Sequence, residues 1–160
     1  EGYQKTKFLL DRGCRSILFV KCPRLERSHD GYFAALKEAG IAPDPELLVD
    51  EELPAEQLNA LFREHAIDGA VVRFHQADRV REFAVSRGIR IPEELSLFCF
   101  DDIAELGETM KIPFSFIKMP LKQMGERAVN YIEEFHLSGA APLKEIASAS
   151  VEVKECRFLI

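Results

Sequence analysis

The chain has 160 residues, 47% of them hydrophobic and 30% charged, with a formal net charge of -6 at pH 7. Length and composition are those of one globular domain with a sizeable core, which excludes a disordered polypeptide. The acidic balance, with a pI near 5.3, argues against this segment gripping a phosphate backbone, because that requires clustered Lys and Arg to displace counterions.

Residues Tyr3 to Leu10 carry apolar groups at helical spacing and run to Gly13, a C-cap signal. The apolar run Ser16 to Val20 then reads as a buried strand. Pro23 and the charged residues after it mark a loop. Tyr32, Phe33, Leu36 and Ala39 form a helical stripe stopped by Gly40. A short strand is expected around Leu47 to Val49. Pro54 suits the first position of a helix carrying Leu58, Leu61 and Phe62, and Asp68 to Val72 reads as a further strand. Val80, Phe83, Ala84 and Val85 lie on the next helix, which ends before Gly88, and Leu95 to Phe100 makes another strand. This alternation predicts a mainly parallel sheet covered by helices on both faces, with right-handed crossovers: an α/β, three-layer, doubly wound architecture.

After Asp102 a polar, glycine-containing segment leads to Pro113. Phe114 to Lys118 is extended, and a long helix runs from Leu121 to about Leu137 with Met124, Ala128, Tyr131 and Ile132 on one face. Its charged residues, from Lys122 to Glu134, read as the polar side of a solvated amphipathic helix. Ser138, Gly139 and Pro142 end it, and Ile146 to Val153 alternates like an edge strand. A doubly wound sheet normally begins with its central strand, whereas this chain begins on a helix, so a fragment is expected, with further strands supplied before residue 1.

No apolar run approaches the roughly 18 to 20 residues needed to span a bilayer, and the N-terminus lacks a basic region followed by an apolar one, so a soluble, unsecreted chain is expected. Cys14, Cys22, Cys99 and Cys156 are too widely spaced for a zinc or redox motif, and Cys99, in an apolar strand, reads as a small reduced core residue. There is no Gly-rich phosphate loop, no nucleophile elbow and no metal-ligand spacing among His29, His65, His75 and His136. Neither an enzyme nor a cofactor or metal is expected. The stretch Arg87 to Asp102 is the most informative: a helix stop, a turn, a buried strand and then the pair Asp101 and Asp102. In open α/β sheets ligands bind outside the carboxyl ends of the strands, which is where this pair stands.

Several segments are similar to the ligand-binding half of bacterial transcriptional regulators of the lactose and galactose repressor family, which share the periplasmic-binding-protein type I fold. Leu9-Leu10-Asp11-Arg12-Gly13-Cys14-Arg15-Ser16-Ile17 resembles the family's first helix and strand, and Gly31-Tyr32, Ala35-Leu36 and Gly40 fit the next helix. More specific is Gly88-Ile89-Arg90-Ile91-Pro92-Glu93-Glu94-Leu95-Ser96 running into Phe100-Asp101-Asp102, then Ile117 and Met124-Gly125. Val151 to Cys156 resembles the family's last strand. The resemblance covers nearly the whole chain. It implies a two-lobed domain in which a sugar or other small metabolite binds the cleft and closes the lobes, with residues 23–113 and 141–160 in the C-terminal lobe, residues 1–22 a remnant of the N-terminal lobe, and residues 114–140 the crossover and helix of that lobe. It also implies a cytoplasmic homodimer, a small-molecule effector (sugar, sugar phosphate or carboxylate), no membrane, and operator DNA read only by a domain outside this chain. Phe74 and Phe83 are compatible with a dimer surface.

The resemblance also names ligand-binding candidates. Asp101 matches the carboxylate that accepts hydrogen bonds from ligand hydroxyls; the alternative is that Asp101 or Asp102 caps a turn. Arg73 stands where the family usually has Asn, and either recognises a carboxylate or phosphate or forms a surface salt bridge. Phe74 and His75 are either wall or loop packing. Ser28 falls where sugar-binding members carry Arg, so either the adjacent Arg27 takes over or the clamp is absent. His29 and Asp30 read as a helix N-terminus with a favourable acid rather than as acid/base machinery. Met119 replaces a polar Gln.

Overall fold

The computed structural model describes residues 2–22, 27–100, 114–118, 121–139 and 152–155. Helix α1 spans Gly2–Asp11, β1 Ile17–Val20, α2 Ser28–Glu38, β2 Leu48–Val49, α3 Ala55–Glu64, β3 Gly69–Val72, α4 Phe74–Ser86, β4 Ser96–Cys99, β5 Ser115–Lys118, α5 Leu121–Ser138 and β6 Glu152–Glu155. The strands form a single sheet in the order β2-β1-β3-β4-β5-β6. Its first five strands are parallel, and β6 closes the edge antiparallel to β5, pairing Ser115 with Glu155 and Lys118 with Glu152.

Strands β1 and β3 are short, apolar and buried at every position because both faces are covered. Alternate residues face opposite sides. Ile17, Phe19, Val71, Phe98 and Ile117 pack with Leu9, Tyr32 and Leu36 of α1 and α2. Leu18, Val20, Ala70, Val72, Leu97, Cys99 and Phe116 pack with Leu58, Leu61, Val80 and Ala84 of α3 and α4 on the other side. The expected three-layer α/β/α architecture is therefore present. Helices α2 and α4 stop as expected, with Gly40 and Gly88 both at φ +70°, a conformation that side chains other than glycine rarely adopt. After each, the next residue closes the turn: Ile41 N–H donates to Leu36 O at 2.9 Å and Ile89 N–H to Ala84 O at 2.9 Å.

Some expectations need correction. Pro54 lies just before α3 rather than inside it: its ψ of 152° is extended and its carbonyl accepts the Leu58 N–H, the role of a cap. Val85 is 66% exposed; the inward face of α4 is Ala77, Val80 and Ala84. Phe74 and Phe83 are partly buried rather than fully exposed. Phe83 packs on Phe62 at 4.9 Å and Phe74 on Phe114 at 6.0 Å, both against the core. The edge strand lies at Glu152–Glu155, while residues 146–151 fall outside the described residues. The boundary drawn at residue 22 falls inside one sheet, since β1 pairs with β2 on one side and β3 on the other, and α1 packs on α2.

The long helix α5 has no buried residue. Leu121, Met124, Val129, Ile132, Phe135 and Leu137 are each between 47% and 89% exposed. The apolar stripe expected from the sequence is there, without a covering layer among the described residues. Cys14, Cys22 and Cys99 are buried free thiols; Cys156 lies outside the described residues.

Candidate functional site

In a parallel sheet every strand ends at the same edge, and each helix that follows a strand begins there. Helices α2, α3 and α4 thus start at the carboxyl edge, and α1, which runs antiparallel to β1, starts there as well. Four helix N-termini, each carrying partial positive charge and unsatisfied N–H groups, face one rim.

One flank of this rim is the junction of α1 and α2. Their first turns touch backbone to backbone: a Cβ at Gly2 would lie 1.8 Å from Ser28 O, and one at Gly31 would lie 2.4 Å from Tyr3 N. Only glycine permits that approach. The pair is tied further along by the Tyr3 hydroxyl donating to Glu38 at 2.5 Å and by Lys7 Nζ at 3.4 Å from the same carboxylate. Those two donors hold the Glu38 carboxyl below the usual range. Inside, the Tyr32 hydroxyl donates to Ile17 O at 3.0 Å, and burial, helped by Asp44, pushes its phenol up to about 12.

The other flank is the segment between β2 and α3, pinned by side chains from the start of α4. Arg73 Nη1 lies 2.5 Å from Glu51 Oε1, and Gln76 Nε2 donates to Glu51 O. Arg79 Nη1 donates to the carbonyls of Glu52 and Leu53 at 3.0 Å each. The buried Leu53 is held at φ +27° by this grip. Gln76 Oε1 also accepts the Arg73 N–H at 2.9 Å, capping α4.

Arg73 thus reaches the rim but in an ion pair, the second of the two readings the sequence left open. Phe74 is half-buried against Phe114 and the core, and His75 is exposed. Arg27 points outward, 95% exposed, with Nε 3.7 Å from Asp30. Ser28 is buried, and its hydroxyl has no hydrogen-bond partner among the described residues. His29 and Asp30 sit on the first turn of α2, 3.7 Å apart. Asp101, Asp102 and Met119 lie outside the described residues.

Sequence reasoning missed two groupings. Lys5 is 1% exposed, with its Nζ 3.9 Å from the centre of the Phe100 ring; the signal was a lysine four residues before Leu9, on the face the helix buries. On the opposite edge of the sheet, His65 stands between two carboxylates, Nδ1 3.1 Å from Asp44 and Nε2 3.0 Å from Glu46. These three are close enough to offer a metal one ligand atom each, although in this geometry both ring nitrogens already face a carboxylate. Residues twenty apart in sequence gave no ligand spacing to find.

This architecture is that of a known domain class. A family described as periplasmic binding protein-like domain matches residues 6–152, and the chain belongs to it. Among curated proteins it is similar to the ribose operon repressor of Haemophilus influenzae (31% identical, 80% of this chain and 41% of that one) and to the arabinose metabolism transcriptional repressor of Halalkalibacterium halodurans (31%, 82% and 38%). Among solved structures it is similar to the transcriptional repressor ascG of Escherichia coli (TM-score 0.73, 23% identical, 98% of this chain and 59% of that one). A LacI family regulator of Enterococcus faecium with bound ribose superimposes at TM-score 0.67 with 19% identity, covering 98% of this chain and 60% of that one. The chain spans about two fifths of the length of these curated relatives. They are transcriptional repressors, not enzymes.

Proposed function

We propose that the chain is most of one lobe of the effector-binding domain of a LacI-type transcriptional regulator, binding a sugar, sugar phosphate or carboxylate at the carboxyl edge of its sheet. The observation that carries this reading is the rim itself, where four helix N-termini, Lys5 and Arg73 are gathered on one side of the sheet. Similarity to repressors over four fifths of the chain favours regulation over transport. Helix α5 belongs to the second lobe, the rest of which lies outside the described residues: its uncovered apolar stripe has the length and spacing of a helix that packs on another layer. Among the described residues no helix is long and apolar enough to cross a membrane, in keeping with a cytoplasmic regulator.

The mechanism on this reading is a population shift. The effector prefers the closed arrangement of the lobes and so changes how a homodimer presents DNA readers carried outside this chain. It moves that equilibrium only by its difference in affinity between the two states. The competing reading, a dimerisation module that binds nothing, is favoured by the Arg73–Glu51 pair, which neutralises one rim cation.

The test is thermal unfolding of the intact protein against sugars, sugar phosphates and carboxylates, since a ligand selective for the folded state raises the midpoint. A shift abolished in Asp101→Ala supports the effector reading. Absence of a shift across the panel refutes it and leaves the dimerisation module.

A further inference from the structure

We infer that His65, Asp44 and Glu46 form a binding site for a divalent ion of the zinc type, which clips the start of β2 to the end of α3. The inference is independent of the effector reading, since the site lies at the amino edge of the sheet and takes a different kind of ligand.

Two segments distant in sequence supply the three residues. Asp44 and Glu46 belong to the 3₁₀ turn over Pro45–Leu47 that leads into β2. His65 ends α3, where its N–H donates to Leu61 O at 2.8 Å. Asp44 caps its turn: Oδ1 accepts the Glu46 N–H at 3.0 Å, which leaves Oδ2 facing the imidazole, 3.1 Å from Nδ1. Glu46 Oε2 lies 3.0 Å from Nε2. Among the described residues this is the one group of three His, Cys, Asp or Glu whose ligand atoms all lie within 4.8 Å of one another.

The donor count of the ring asks for a cation. A neutral imidazole donates through one nitrogen and carries a lone pair on the other, so one of the two contacts sets a lone pair against a carboxylate oxygen. An ion that takes that lone pair and that oxygen turns repulsion into ligation. Two ligand atoms each about 2.1 Å from one ion, at right angles or tetrahedrally disposed, lie about 3.0 to 3.4 Å apart, which matches both contacts. The carboxylates balance the charge of a dication, and the C-terminal end of α3 adds a favourable partial charge. Arg63, the basic residue of that last turn, is paired with Glu64 at 2.7 Å. Imidazole among carboxylates suits zinc and its first-row neighbours, whereas calcium and magnesium prefer oxygen alone. The His65 side chain is 15% exposed and held in place, while that of Glu46, 69% exposed, can turn to complete the set with water. Such a clip has something to hold: β2 is two residues long and pairs with β1, and ligation that joins two segments stabilises the fold that brings them together.

The intact protein, freed of metal with a chelator, is titrated with zinc chloride by calorimetry, with magnesium and calcium chloride as comparisons, and its thermal unfolding is followed with and without zinc. One zinc ion per chain is expected to bind and to raise the midpoint, with magnesium and calcium giving no such response at the same concentration. His65→Gln and Glu46→Gln each weaken zinc binding by about tenfold or more, at least the loss seen when a supporting partner of a ligand is removed. Glu46→Gln, on an exposed side chain, decides the matter if His65→Gln does not fold. No zinc binding, an affinity unchanged in a folded variant, an equal response to magnesium, or a midpoint that zinc does not raise overturns the site. If a second ring proton alone supplies the cation, zinc does not bind here and the first of these results is obtained. The effector panel is run without zinc, so failure of the metal site leaves the effector reading standing.

Discussion

Tyr32→Phe isolates one buried hydroxyl and gives a signature in pH. In the folded chain the phenol is 1% exposed, and its O–H donates to Ile17 O at 3.0 Å. Removing it deletes one intramolecular hydrogen bond and leaves the carbonyl short of a partner, a loss of about 1 to 2 kcal/mol at neutral pH. The folded phenol titrates at about 12, against an ordinary value of 10. A group whose folded value is raised contributes stability that is complete below the unfolded value and disappears as pH climbs through the folded one. Linkage then gives the native protein a loss of about 1.3 kcal/mol between about pH 9 and pH 11, from a total of about 2.7 kcal/mol. The phenylalanine variant lacks this component. Urea unfolding of both proteins, followed by circular dichroism from pH 8 to 11, shows native stability above that of the variant at pH 8 and the difference closing or reversing by pH 11. A difference that stays constant across the series refutes the assignment of Tyr32 as a buried neutral donor.

Gly31→Ala forces α1 away from α2, because its Cβ would meet the Tyr3 backbone nitrogen at 2.4 Å; a loss of about 1 to 3 kcal/mol in urea unfolding is expected. Gly125→Ala in α5, where a Cβ meets nothing within 4 Å, stabilises by about 0.5 to 1 kcal/mol. A double-mutant cycle on Arg73→Met and Glu51→Gln returns a coupling of about 0.5 to 1 kcal/mol, as befits a pair about 30% exposed; zero coupling removes this pair as an anchor of the loop. Phe98→Ala empties a fully buried site between β4 and α1, where Phe8 stacks on it at 5.2 Å, and lowers stability by about 3 to 5 kcal/mol by the same measurement.

The layered fold was legible because its signals are local. Short apolar strands bounded by glycine stops, such as Ile17–Val20 before its loop and Ser96–Cys99 after Gly88, declare a sheet buried on both faces. The end of β4 was legible as an element boundary. What Arg73 does was not: its partner Glu51 is 22 residues away, and only the β2-β1-β3 order brings the two ends together. Lys5 was passed over because periodicity ranks positions by apolarity, and one lysine in a stripe looks like an interruption. The pairing of β1 with both β2 and β3 was not legible for a related reason, since the order of strands in a sheet is long-range information that sequence alternation does not hold.

The two edges of the sheet differ in a way that, on the proposed reading, assigns ligand discrimination to one of them. At the amino edge polar groups are spent on joining neighbours: the Asp68 carboxylate accepts the N–H of Arg15 at 2.7 Å and that of Ser16 at 2.9 Å, its carbonyl accepts the Ser96 N–H, and His65 spans Asp44 and Glu46. Among the described residues those groups are engaged with one another. At the carboxyl edge the joins are made by backbone contact and by a loop fastened from behind, and the buried Ser28 hydroxyl is not used in fastening the helices. A rigid rim of this kind cannot fold itself around an effector. On the proposed reading, closure therefore comes from the lobe that covers the α5 stripe, and the ligand changes the angle between two preformed bodies while the sheet and its core stay as they are.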